Sequence, residues 1–248
     1  MEVTSTAGDL WVAARSFPLA TLGDILGTGG LLVVAPHPDD ESLACGGLIA
    51  AACSQNRLTR VVVVSDGTGS HPRSKAYPKD RLRRLREGET ERAVWELGLD
   101  PGNIVFLRLP DRFVPSEGPL AEQAIDRIGA CAAEIGAEAI FVSWRHDPHC
   151  DHQASYRLVR EVTRRSRGLK LYEYTVWGAA LPPEAAIDPV EGFRISVAGA
   201  RVKKRRAIAA HRSQVTDLID DDPEGFRLSG VDLARFDEPF EVFFGSPE

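Results

Sequence analysis

Residues 31–47 read "LLVVAPHPDDESLACGG", and the reading of this stretch decides the fold. Four apolar residues run straight into His37, Pro38, Asp39, Asp40 and Glu41. Adjacent carboxylates repel and lower stability unless something positive sits among them. The apolar run reads as a buried strand and residues 42–54 as the helix that follows. Acidic residues and a proline do suit a helix N-terminus. That accounts for one acid rather than three, and leaves His37 without a role. A divalent cation would supply the missing charge, because His37 and Asp40, three apart where the strand turns into the helix, can both ligate one.

Working outward, strand-like runs recur at "RVVVVS" (60–65), "NIVFLRL" (103–109), "EAIFVSW" (138–144) and "LKLYEYTVW" (169–177). They are nearly continuous rather than alternating, as in strands covered on both faces. Helical segments intervene at about 42–54, 79–97, 120–135 and 151–165. Such alternation predicts βαβ units and an α/β fold: a Rossmann-like three-layer sandwich with a mostly parallel sheet. No repeat or composition break divides the chain, so a single domain over 1–248 is expected. Its core spans about 30–216 and a C-terminal extension covers 217–248. Within these, "RVKKRRAIAAHR" (201–212) reads as a further helix and "FEVFF" (240–244) as a closing strand.

Open α/β sheets gather ligands at the carboxyl ends of their strands. Polar clusters fall there three times: "PHPDDE" (36–41), "SDGTGSHP" (65–72) and "RHDPHCDH" (145–152). The last crowds His146, Asp147, His149, Asp151 and His152 into seven positions. Its "HCDH" offers His149 and His152 to complete a site begun by His37 and Asp40. No GxGxxG follows the first strand, which argues against a dinucleotide cofactor.

Hydrophobic residues make up 43% of the 248 and charged residues 27%, which excludes a chain dominated by disorder. The net charge of −6 argues against nucleic acid as a partner. The basic run "RVKKRR" (201–206) lacks interleaved aromatics and reads as a solvated helix face. No apolar run approaches the ~18 residues of a membrane span. The N-terminus lacks the basic start and apolar core of a secretory signal, which predicts the cytoplasm. Cys45, Cys53, Cys131 and Cys150 form no CxxC pair and read as buried free thiols. Cys150 is not counted as a ligand.

"APHPDDESLACGG" and "DPHCDH" together resemble the two signatures of the LmbE-like, or PIG-L, family of zinc-dependent N-deacetylases. "RLREGETERAVWELG" (84–98) is similar to the family's Arg/Glu/Ala/Leu-Gly helix, "LPDR" (109–112) to its aspartate after the third strand, and "KRRAIAAHRSQ" (204–214) to its C-terminal helix. The resemblance covers about residues 31–216. It implies zinc held by His37, Asp40 and His152, a donor set that accepts ferrous iron as well, with Asp39 as general base and His149 facing the reacting carbonyl. Three protein ligands leave a fourth position open for water. A protonated His149, its other nitrogen held by Asp151, would then stabilise the developing oxyanion. The implied substrate is a small glycoside or amino-sugar conjugate; the alternatives are hydrolysis of a non-sugar or thiol-conjugate amide on the same metal, and a non-catalytic sugar-binding module. Assembly as a homo-oligomer is left open.

Substrate-side candidates are Arg86, Asp111, Asp66 and His211. At 100° per residue Leu82, Arg86, Glu89, Ala93 and Leu97 share one helix face, so Arg86 can pair internally with Glu89. The resemblance implies instead that Arg86 reaches the site and contacts a sugar hydroxyl or phosphate, and the two readings are compatible. Asp111 and Asp66 follow strands and can face the crevice or shape turns. His71 reads as decoration of a hydrophilic loop, and His211 as entering the site or packing at its rim. Glu41 reads as a capping acid or a support behind the metal ligands. Segments 66–80 and 178–200 match no motif and are expected to set substrate choice.

Overall fold

The computed structural model describes residues 5–245. In chain order it forms β1 (Ser5–Thr6), α1 (Ala7–Ala14), α2 (Leu22–Leu26), β2 (Gly30–Ala35), α3 (Asp40–Ser54), β3 (Thr59–Ser65) and α4 (Lys79–Leu97). There follow β4 (Ile104–Leu109), α5 (Pro119–Glu134), β5 (Ala137–Ser143), α6 (Cys150–Arg165), β6 (Lys170–Tyr174), β7 (Ala186–Ile187) and β8 (Gly192–Ser196). The chain closes with α7 (Arg201–Ala210), α8 (Arg212–Val215), α9 (Gly230–Arg235) and β9 (Phe240–Phe244).

Seven strands form one sheet in the order β4-β3-β2-β5-β6-β9-β8. The first five run parallel, and β9 pairs antiparallel with β6 and β8. The continuous apolar run of β2 follows from this arrangement. Leu31, Val33 and Ala35 enter the core shared with α2 and α3, while Leu32 and Val34 enter the opposite core with α5 and α6. A strand with helices on both faces needs apolar residues at every position. The α/β sandwich expected from the sequence is therefore observed. At the edge β4 is only partly buried, unlike the doubly covered strand expected there.

Several features differ from the sequence reading. Residues 5–26 contain two short helices, each opened by a reciprocal cap between Thr6 and Asp9 or Thr21 and Asp24. Segment 178–200 contributes β8, so it builds sheet as well as loop. The "RVKKRR" helix is not a wholly solvated face. Lys204 is buried and its Nζ lies 2.7 Å from Glu241 Oε1. The Glu241 carboxylate also accepts the backbone N–H groups of Gly47 (2.7 Å) and Leu48 (2.8 Å) in the middle of α3. Gly47 is required at this crossing, because an added Cβ would meet Val197 at 2.3 Å. Of the thiols, Cys45 and Cys131 are buried, Cys53 is half-buried and Cys150 is exposed. The last lies on the turn that opens α6, where the sheet no longer covers it.

Candidate metal centre

From β2 the chain crosses through α3 to β3 on one side, and from β5 through α6 to β6 on the other. The neighbouring carboxyl ends of β2 and β5 are thus a topological switch point, where open sheets form their ligand crevice. "PHPDDE" leaves β2 and "RHDPHCDH" leaves β5 at this point. Their side chains meet. His37 Nδ1 lies 3.3 Å from Asp40 Oδ2 and 3.2 Å from His152 Nε2, and His152 Nε2 lies 3.2 Å from Asp40 Oδ2. Three ligands bound at 2.0–2.1 Å in tetrahedral geometry stand about 3.3–3.4 Å apart. The triangle fits such an ion by size and by donor chemistry. His37, His149 and His152 also fall within metal-binding reach of one another, as do His37, Asp111 and Asp151. Their donors have competing engagements, described below.

Support for these three side chains is local. Asp147 Oδ1 lies 3.2 Å from His152 Nδ1, while its Oδ2 accepts the backbone N–H groups of Val176 (3.1 Å) and Trp177 (2.8 Å). His37 Nε2 lies 3.1 Å from Asp151 Oδ2 and 3.4 Å from Asp111 Oδ1. Carboxylates on the far nitrogens fix the ring orientation and raise the basicity of a metal-ligating histidine.

Burial lowers the pKa of His152, but Asp40 and Asp147 outweigh it and carry the value up to about 9. His37 is likewise raised against its burial by hydrogen bonds to Asp111, Asp151 and Asp40. Asp40, also buried, is held well below the ordinary carboxylate range by His152 and His37. Without a metal the triangle therefore holds protons, which an entering cation must displace.

Asp39 points to the same cavity without joining the triangle. Its carboxyl is pushed up to about 7, chiefly by burial and also by Asp40, with Arg86 opposing. Arg86 Nη2 donates to Pro38 O (2.7 Å) and lies 3.3 Å from Asp39 Oδ2, and its Nη1 donates to Gly67 O (2.8 Å). A carboxylate beside a metal triangle but not of it, with a proton affinity near neutrality, is suited to general-base work.

Residues 32–163, which hold every member of this cluster, match the family model described as PIG-L, GlcNAc-PI de-N-acetylase. The chain belongs to that family. It is 27% identical to a 1D-myo-inositol 2-acetamido-2-deoxy-α-D-glucopyranoside deacetylase of Mycobacteroides abscessus, over 82% of this chain and 87% of the relative. A probable N-acetyl-α-D-glucosaminyl L-malate deacetylase 2 of Bacillus anthracis is 28% identical, over 86% of this chain and 94% of its own length. Among solved structures, the zinc-inhibited form of a teicoplanin deacetylase aligns with a TM-score of 0.63 at 18% identity, over 86% of this chain and 96% of that one. That likeness shows the fold shared by this PIG-L family member.

Within this de-N-acetylase domain His37, Asp39, Asp40, Arg86, Asp111 and His149 line one cavity, and His152 lies fully buried beside it. Asp66 is elsewhere engaged. Its Oδ1 accepts from Thr68 N and Oγ1 and so shapes the turn after β3. His211 is buried and does not line the cavity; its Nε2 lies 3.0 Å from Glu41 Oε1. His71 is buried as well, packed against Gly225 rather than exposed on a hydrophilic loop. Arg86 and Glu89 do not pair. Glu89 instead accepts from Ser213 N (2.9 Å) and Oγ (2.6 Å), because α8 reaches it before Arg86 does.

The expected Asp151–His149 bond takes a different form. The Asp151 carboxylate engages His37 and the backbone N–H groups of Arg112 (2.6 Å) and Val114 (3.1 Å). Its backbone N–H donates to His149 Nδ1 at 3.2 Å, since His149 is the N-cap of α6. Burial and the nearby His37 and His152 lower the His149 pKa to about 4. This lowering favours a neutral ring at His149, whereas the sequence reading expects a protonated one.

Sequence reasoning gave no role to Asp147, Trp177, Phe226 or Arg112. Asp147 lay within the quoted cluster, five residues before His152, and that spacing was its signal. Trp177 and Phe226 line the cavity with rings perpendicular and 5.7 Å apart. They come from distant segments with no shared motif.

Proposed function

We propose that this chain hydrolyses the amide of an N-acetylglucosaminyl glycoside or related amino-sugar conjugate, releasing acetate and a free amine, with the help of one divalent cation. Zinc is the cation best suited to the His37, Asp40 and His152 donor set, and ferrous iron is compatible with it. The observation that carries this reading is the juxtaposition of the donor triangle with two groups outside it, Asp39 and His149, in a single cavity. Two relatives whose names specify N-acetylglucosamine glycosides deacetylated at nitrogen support the substrate class.

A cation bound by the triangle would polarise the amide carbonyl and acidify the attacking water. Asp39 accepts the water's proton as oxygen attacks the carbonyl carbon. Because its carboxyl binds a proton near pH 7, it can also return that proton to the departing nitrogen as the C–N bond breaks. His149 keeps its proton on Nε2 and donates to the carbonyl oxygen as that atom gains negative charge, a stabilisation that requires no net charge on the ring. Arg86 fixes the Pro38–Asp39 peptide and so the position of the base. The aromatic pair Trp177 and Phe226 offers apolar faces for a sugar ring or its aglycone.

The decisive experiment is an amine-release assay over a panel of N-acetylglucosaminides, with metal-loaded and chelator-treated enzyme. Amine and acetate in equal amounts, lost on chelation and restored by zinc, are expected. Absence of amine release from every N-acetylated sugar by the metal-loaded protein would refute the proposal.

A further inference from the structure

Asp39 has φ +145° and ψ −27°, a backbone region that residues other than glycine rarely adopt and that persists only where the surroundings enforce it. It is the N-cap of α3, yet its side chain makes no capping hydrogen bond. Aspartate at this position ordinarily folds its carboxylate back onto the first-turn N–H groups. Here the carboxylate lines the cavity instead. Something holds it there.

The backbone N–H of Asp39 donates to Glu41 Oε2 at 3.0 Å. The other oxygen of Glu41 meets Ser42 Oγ at 2.7 Å and His211 Nε2 at 3.0 Å. Glu41 is fully buried and His211 is 1% exposed. The Nδ1 of His211 has no hydrogen-bond partner among the described residues, so the ring's polar contacts lie on the Glu41–Ser42 side. Neither residue lines the cavity. His211 occupies the joint between α7 and α8, and α8 is tied to α4 through Ser213 and Glu89. Arg86, one turn before Glu89 on α4, donates to Pro38 O. One frame thus grips the Pro38–Asp39 elbow twice: Arg86 takes the carbonyl before the strained residue, and His211, through Glu41, holds its N–H.

We infer that His211 is a positioning residue: by orienting Glu41 it locks Asp39 in its strained conformer, and so keeps the base aimed at the substrate. The inference rests on the proposed role of Asp39 as general base. Without the Nε2–H donor the Glu41 carboxylate loses its anchor, and Asp39 relaxes toward an ordinary cap whose carboxylate binds its own helix. Substrate affinity and the metal triangle do not depend on this contact.

The test compares His211→Gln, whose amide N–H replaces Nε2–H, with His211→Leu, which fills the space without a donor. The readouts are kcat, KM and metal content on an N-acetylglucosaminide that the parent enzyme cleaves. In His211→Leu kcat is expected to fall about 10- to 100-fold at unchanged KM and metal content, and His211→Gln should recover most of it. Equal kcat in the two variants, a loss confined to KM, or loss of metal would overturn the inference. If His211→Leu does not fold, His211→Gln is compared with Ser42→Ala, which leaves the His211–Glu41 contact intact. A folded His211→Gln enzyme with kcat reduced more than 10-fold then counts against the role, and retention of activity supports it. A parent enzyme inactive on all N-acetylglucosaminides would instead refute the proposed function.

Discussion

The backbone N–H of Asp151 donates to Nδ1 of His149 across 3.2 Å. An imidazole nitrogen that accepts a hydrogen bond carries no proton, so neutral His149 has its hydrogen on Nε2. This contact makes His149 a hydrogen-bond donor rather than a cation. Its pKa of about 4 places its own titration well below neutrality, so it should not supply the basic limb of a pH–rate profile. His149→Ala is expected to lower kcat about 10²-fold, with less effect on KM, because a bond to the developing oxyanion strengthens only in the transition state. Metal content should be unchanged. A basic limb that disappears in His149→Ala would show that the ring is charged during turnover.

The triangle and the base should separate by mutation. His37→Ala and His152→Ala each remove one corner of the triangle and should abolish stoichiometric metal binding. Asp39→Asn should leave the metal in place and lower kcat by about 10² or more. Metal analysis by mass spectrometry on the same samples as the kinetics checks both. Full occupancy in His37→Ala and His152→Ala would exclude the proposed ligands.

Stability at a distance from the site should depend on Glu241. Its carboxylate pairs with buried Lys204 and accepts two N–H groups of α3. Glu241→Ala leaves the buried Lys204 ammonium without its carboxylate partner. Removing one member of a buried ion pair typically costs about 3–5 kcal/mol, so the midpoint of urea unfolding should fall substantially. An unfolding midpoint equal to that of the parent protein would show that water replaces the carboxylate.

How far the sequence disclosed all this follows from the range of each interaction. β2 and α3 were legible because a continuous apolar run followed by a polar turn is a local pattern. That His37, Asp40 and His152 come together is foreshadowed in the sequence, because each sits in a dense polar cluster directly after a strand. The Asp151–His149 contact uses a backbone N–H where the sequence suggests a carboxylate, since spacing alone does not distinguish the two at a helix cap. Glu41 and His211 are 170 positions apart in sequence, and no periodicity joins them. The Lys204–Glu241 pair was hidden for the same reason. A basic run on a helix looks solvated until a strand from the other end of the chain is laid against it. β8 lay in a Pro- and Gly-containing segment with weak alternation, where turn signals outweighed strand propensity.

The protonated triangle also has a consequence for the metal-free protein. The His152 pKa rises from 6.5 to about 9 on folding, and that of His37 is raised too. A group that binds its proton more tightly when folded stabilises the fold below its unfolded pKa, and this contribution is lost as pH climbs through the folded value. For His152 the loss runs from about pH 6.5 to about pH 9 and is on the order of 3 kcal/mol. Asp39 acts in the same direction at lower pH, because its carboxyl, raised from 3.8 to about 7, becomes a buried carboxylate as the pH increases. Chelator-treated protein should therefore lose stability steadily between pH 6.5 and 9. In the metal-loaded protein the cation replaces those protons, so binding strengthens as pH rises and the trend should flatten or reverse. Urea unfolding of both forms at half-unit steps from pH 6 to 9 measures the difference. Parallel curves for the two forms would mean that His37 and His152 do not hold their protons in the metal-free triangle, and would remove the proton–metal competition drawn from it.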